Sequence, residues 1–214
     1  MAKQLIISLR ITLALLLIVS GVYPLVVWGL SQAAFRRQAD GSLVTDAQGR
    51  VVGSALLAQG FTRPGYVHPR PSAAGAGYDP TASGGTNLGP TSDKLIHGVH
   101  KPNLASGKDD PADFDGVKDL ADAYRRDNGL APGVLVPVDA VTRSASGLDP
   151  QISPANAGLQ SARVAGARGV PVAAVRGLIR DNTRGRALGV LGEPGVDVLA
   201  LNLALDQRYP ARTR

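Results

Sequence analysis

The sequence predicts a mixed α/β domain carried behind one N-terminal membrane helix. Three observations point there. Ile11 to Leu30 runs for 20 residues without one charged side chain, and no other stretch resembles it. Beyond it, short β-branched runs alternate with segments punctuated as helices. Aromatic residues make up only 4% of the chain, so a core in residues 36–214 must be built from Val, Leu, Ile and Ala.

Residues 1–10 read as a short cytoplasmic N-terminus and 11–30 as the spanning helix. At 1.5 Å per residue that helix crosses the roughly 30 Å hydrocarbon core of a bilayer. A cleaved signal peptide is the alternative, since Lys3 and Arg10 precede the run and Ser31-Gln32-Ala33 fits a small-x-small cleavage site. The apolar part of a secretory signal, however, usually spans about 7–15 residues. Trp28 stands where an interfacial aromatic belongs. Pro24 is expected to kink the helix at Tyr23-Pro24. Gly21 and Gly29 would allow close approach of a neighbouring helix. Lys3 and Arg10 on one side, against Arg36 and Arg37 on the other, lean toward a cytoplasmic N-terminus. Residues 36–214 then lie outside the cytoplasm, as one domain held by packing, because the chain has no cysteine.

Leu43-Val44-Thr45 and Arg50-Val51-Val52-Gly53 flank Asp46-Ala47-Gln48-Gly49, which predicts a hairpin. Residues 60–92 are loop by composition. A polar loop insertion occupies about 97–116. A helix is predicted from Val117 to Asn128, stopped by Gly129. Val134 to Thr142, broken by Pro137, predicts an edge strand or strand start. Ser153 caps a helix with Pro154 in its first position and Gly169 at its end. Pro171 opens another, to about Asn182, with Val172, Val175, Leu178 and Ile179 on one face. Val196 to Leu205 alternates, and predicts a strand turning helical near Asn202.

Net charge is +6 but spread out, with five Lys/Arg and seven Asp in residues 101–127 and ten Lys/Arg against six acids in 139–214. Such mixing excludes the basic stripe with stacking aromatics that nucleic acid requires. Arg36-Arg37 beside the bilayer suits anionic headgroups.

The candidate chemistry is thin. His97 and His100 would share a face only on a helix. Zinc needs further ligands, and Asp109 and Asp110 sit in the polar loop, so no metal site is predicted. Ser146, His68 and Asp149 supply the residue types of a hydrolase, but no Gly-x-Ser-x-Gly occurs. Ser144 to Pro150 reads instead as a turn in which Gly147 takes a positive φ. Ser83-Gly84-Gly85-Thr86-Asn87 reads either as an anion-binding nest or as a tight turn satisfied by its own side chains. No Gly-Lys-Ser/Thr phosphate loop is present, so independent ATP hydrolysis is not expected.

Several motifs together resemble one family. They are Gly21-Val22-Tyr23-Pro24, Arg70-Pro71-Ser72-Ala73, Ser83-Gly84-Gly85-Thr86-Asn87-Leu88-Gly89-Pro90, Ser144-Ala145-Ser146-Gly147-Leu148-Asp149-Pro150 and Leu201-Asn202-Leu203-Ala204-Leu205-Asp206. In this order they resemble the C subunit of the Kdp-type potassium-transporting ATPase. The resemblance implies a non-catalytic subunit of a bacterial inner-membrane complex, needed for assembly. Its implied partners are a channel-like potassium-binding subunit, a P-type ATP-hydrolysing subunit and a small single-helix subunit. It also implies a catalytic chaperone that raises ATP affinity. Gln160 matches the proposed nucleotide contact, with Ser83, Gly84 and Gly85 as further candidates and no cofactor bound independently. Ser144, Ser146, Gly147, Leu148, Asp149, Asn202 and Asp206 become motif residues, and Gly21, Tyr23, Pro24 and Gly29 membrane-docking residues. The segment from about Ile96 to Leu130 departs from the family's compact pattern, and Glu193 is the only glutamate. A domain outside the membrane cannot touch cytoplasmic ATP, so Gln160 is expected to pack or cap a helix end. The competing expectations are a membrane-anchored exported serine hydrolase using Ser146 and a free-standing solute-binding domain.

Overall fold

The computed structural model describes residues 1–46, 48–100 and 113–210. Asp109 and Asp110 lie outside the described residues. The chain forms two compact units, Met1–Ser54 and Ala55–Arg214.

The first unit opens with α1 (Ala2–Leu17), passes through a π-turn (Ile18–Val22) and continues as α2 (Tyr23–Ala34). The 33-residue helix is long and apolar enough to cross a membrane, and none of its apolar window is buried within the chain. The π-turn ends at Val22, one residue short of Pro24, which has no N–H to give to the preceding turn and whose ring crowds it. Widening that turn to i→i+5 bonding relieves the conflict. After the short α3 (Arg36–Ala39) come β1 (Leu43–Thr45) and β2 (Val51–Ser54), an antiparallel two-stranded sheet. Asp46 holds the hairpin turn by accepting the Gln48 and Arg50 N–H groups, each at 2.9 Å.

In the second unit, residues 55–92 run as irregular chain with turns, as the composition of 60–92 predicts. Then follow α4 (Asp93–His97), α5 (Val117–Asp127), α6 (Val138–Val141), β3 (Gln151–Ile152), α7 (Pro154–Arg168), α8 (Val172–Asp181), β4 (Thr183–Arg184), β5 (Gly195–Asp197) and α9 (Val198–Arg208). The small sheet has the order β3-β5-β4, all antiparallel. Helices α7, α8 and α9 pack with it around Val164, Val175, Val196, Leu201 and Leu205, each wholly buried.

The punctuation of α7 and α8 is as the sequence predicts. Ser153 Oγ accepts the Asn156 N–H at 3.1 Å, and Gly169 closes α7 in the left-handed region at φ 68°. α8 buries Val175, Leu178 and Ile179. Two expectations are corrected. Residues 138–141 form the turn of helix α6 and not a strand. Pro137 stands at its N-cap, where the missing N–H costs nothing, and Asp139 turns its carboxylate to the start of α7. The C-terminal helix begins at Val198, well before Asn202. Asp197 caps it by accepting the Ala200 N–H at 3.1 Å. Within the leucine alternation, Val198, Leu201 and Leu205 already made one helical face.

Candidate functional site

The densest polar structure gathers on the segment Pro64–His68, which is neither helix nor strand. Its backbone groups need partners, and side chains of α7 and α9 supply them. Asn202 accepts the Val67 N–H through Oδ1 and donates Nδ2–H to the Val67 carbonyl, both at 2.9 Å. Gln160 repeats the pattern on the next residue. Its Oε1 accepts the His68 N–H at 2.8 Å and its Nε2 donates to the His68 carbonyl at 3.0 Å. Each amide thus does what a neighbouring strand would do.

Gln160 has no spare capacity. Its oxygen also accepts from Arg163 Nη2 at 2.7 Å, and its second amide hydrogen goes to Asn156 Oδ1 at 2.9 Å. It is 1% exposed. Asn156, Gln160 and Arg163, spaced i, i+4 and i+7, form one polar spine along α7. Asn156 Nδ2 donates to Asp139 and its Oδ1 receives the Tyr124 hydroxyl. Arg163 Nη1 donates to the carbonyls of Pro64 and Tyr66. Buried Arg168 donates to Gly65, Tyr209 and Asp206, and the second Asp206 oxygen accepts the Tyr66 hydroxyl. Loss of water around that phenol, then its bond to Asp206, raises the Tyr66 pKa.

The Ser144–Asp149 loop is a second hub. Ser146 Oγ donates to Asp149 at 3.2 Å and accepts the Leu148 N–H at 3.1 Å. Asp149 pairs with Arg70 Nη1 at 2.7 Å. Ser72 donates to the Gly147 carbonyl, and Ala58 N–H to that of Leu148. Gly147 is required here, with φ +70° and a Cβ that would lie 2.7 Å from the Ala74 nitrogen. Ser83 Oγ and the Gly84 N–H both donate to the Ser146 carbonyl, at 3.0 and 2.9 Å. Gly85 lies close over Ser144 and Ala145. These donors therefore clasp a loop.

The predicted site residues of the second unit separate into two groups. Gln160, Asn202 and Asp206 meet on Pro64–His68, whereas Ser83, Gly84, Gly85, Ser144, Ser146, Gly147, Leu148 and Asp149 meet in the loop clasp. His68 belongs to the first group, with Nε2 facing the Arg163 guanidinium at 3.4 Å. Ser146, whose proton goes to Asp149, and His68 do not come together as nucleophile and base among the described residues. Burial, then Arg163, lowers the His68 pKa. His97 and His100 do not share a helix face either. His97 ends α4, and Gly98 breaks the helix with φ +76°. The sequence alone assigns no site role to Asp139, Asn156, Arg163 or Arg168. The polar i, i+4, i+7 spacing within α7 was the available signal.

The family model for the K+-transporting ATPase c chain matches residues 5–207. Matching relatives carry the name potassium-transporting ATPase KdpC subunit. One from Caulobacter sp. strain K31 is 53% identical over 189 residues, covering 88% of this chain and 86% of its own length. One from Myxococcus xanthus is 50% identical over 202 residues, covering 94% and 87%. One from Mycobacterium tuberculosis is 47% identical over 207 residues, covering 97% and 100%. With its polar staples lying inside the matched span, the chain belongs to the KdpC family of potassium-transporting ATPase subunits.

Proposed function

We propose that the chain is a non-catalytic accessory subunit of an ATP-driven potassium-uptake complex in the cell membrane. Its N-terminal helix docks beside a channel-like subunit, and residues 36–214 stand on the extracytoplasmic side. Its presence is needed for assembly with the P-type ATP-hydrolysing subunit and the small single-helix subunit. The observation that carries this reading is the Ala2–Ala34 helix, whose apolar window is buried nowhere by its own chain. Such a surface needs lipid, a neighbouring helix, or both. Gly21 and Gly29 support the docking role. A Cβ at Gly21 meets nothing nearer than Leu17 Cδ1 at 3.7 Å and one at Gly29 meets nothing within 4 Å, so their smallness serves nothing inside this chain.

Any chaperone effect on ATP affinity acts in this proposal through the membrane subunits. Gln160 is buried, and all four of its hydrogen-bonding positions are in use. Removing residues 55–214 while keeping Met1–Ser54 tests the role of the second unit. Potassium-limited growth and uptake by cells carrying only this system should be lost. Uptake at the parental rate would sink the proposal.

A further inference from the structure

We propose that His100, Asp115 and Asp119 form a binding site for one divalent transition-metal ion, zinc by preference. Nothing in the transport role requires it, and the inference stands on local geometry alone.

The three residues come from different points of the chain. Asp119 lies in the first turn of α5, Asp115 just precedes it, and His100 follows α4. An antiparallel bridge between Val99 and Phe114 brings the two strands of chain together. One ligand atom from each residue lies within 4.8 Å of the others. His100 Nε2 stands 3.0 Å from Asp119 Oδ2. In a tetrahedral zinc site with bonds of about 2.0–2.2 Å, ligand atoms sit roughly 3.3–3.5 Å apart. To take the ion, His100 Nε2 releases its proton to solvent and gives up its bond to Asp119 Oδ2, an oxygen that also accepts the Gly116 N–H at 2.8 Å.

The far side of the ring supplies the second observation. His100 Nδ1 lies 2.9 Å from Asp113 Oδ1. A metal-binding imidazole characteristically gives its other N–H to a carboxylate, which fixes the ring and leaves the opposite nitrogen's lone pair for the metal. The backbone also makes room. A Cβ on Gly98 would overlap Asp119 Oδ2 and lie 2.8 Å from His100 Nε2. The three ligands open onto a cavity of about 380 Å³, lined also by Asp122 and Arg126. Among the described residues the carboxylates of Asp113, Asp115, Asp119 and Asp122 gather here, with Arg126 lining the cavity, Arg125 paired to Asp122 and Arg143 bonded to the Asp115 carbonyl.

Ligand chemistry selects the metal. One imidazole with two carboxylates suits zinc or manganese, whereas magnesium and calcium prefer oxygen alone. The fourth position is left to water. A bound ion would tie the start of α5 to the chain leaving α4.

Isothermal titration of the untagged full-length chain in detergent, with zinc chloride over a magnesium background, tests the site. The chain has no cysteine and three histidines, so a strong signal is assignable. One zinc per chain is expected at micromolar dissociation constant or tighter. His100→Asn and Asp115→Asn should each weaken it at least tenfold, and Asp113→Asn by about 10–100-fold through the loosened ring. His68→Gln and His97→Gln should bind like the parent. Asp115 takes no part in the His100 bridge to Asp113 and Asp119, so Asp115→Asn provides a readout even where His100→Asn fails to fold. Circular dichroism checks that it keeps its helices. Absence of saturable binding below millimolar zinc, or Asp115→Asn titrating like the parent, overturns the proposal.

Discussion

Asn202 and Gln160 each present one carbonyl and one amide N–H to the backbone of a single residue. Their truncation strands buried partners, which costs more than the bond itself is worth. Gln160→Ala and Asn202→Ala should each destabilise the second unit by about 2–4 kcal/mol, read as a lowered midpoint in chemical denaturation. Gln160→Ala matching the parent would contradict the staple. His68, bound to the same amide, carries a pH signature. Its folded pKa lies below the unfolded imidazole value of about 6.5. The unfolded chain therefore binds the proton more readily. This contribution to stability is complete above that value and is lost as pH falls through it toward the folded pKa. Between pH 7.5 and 5.5 His68→Gln should lose less stability than the parent. An unchanged slope in His68→Gln would place the titration elsewhere.

Helices with chemical punctuation were legible in the sequence. Ser153-Pro154 and Gly169 mark α7, Pro171 and Asn182 flank α8, and Gly129 follows α5. The elements that were misread are those whose partners lie far off. Residues 138–141 carry β-branched residues, yet Asp139 must reach Ser153 and Asn156. The leucines of α9 alternate, but the cap at Asp197 decides the conformation. The staple was hidden for the same reason, since Gln160 and His68 are 92 positions apart and Asn202 and Val67 are 135. No local pattern records such a pairing. At this scale the membrane helix makes its own prediction. Gly21→Leu and Gly29→Leu should leave the chain's expression and helix content unchanged while weakening recovery of partner subunits several-fold. Equal recovery would remove the glycines from the docking face.

For the molecule as a whole, the side occupied by the second unit decides what it can touch. The chain lacks cysteine, so a single introduced thiol reports unambiguously. Ala173 is exposed on α8, and Ala173→Cys should react with a membrane-impermeant maleimide in spheroplasts. Labelling only after lysis would place the domain in the cytoplasm and reopen direct nucleotide contact. In the proposed role this chain works as part of a larger transport assembly. Its most direct test is affinity purification of the full chain from detergent-solubilised native membranes, with co-eluting proteins weighed by mass spectrometry. A P-type ATP-hydrolysing subunit and a channel-like potassium subunit should be recovered with it in near-equal amounts. Elution of the chain alone, from membranes where the ATPase is present and active, would contradict that role.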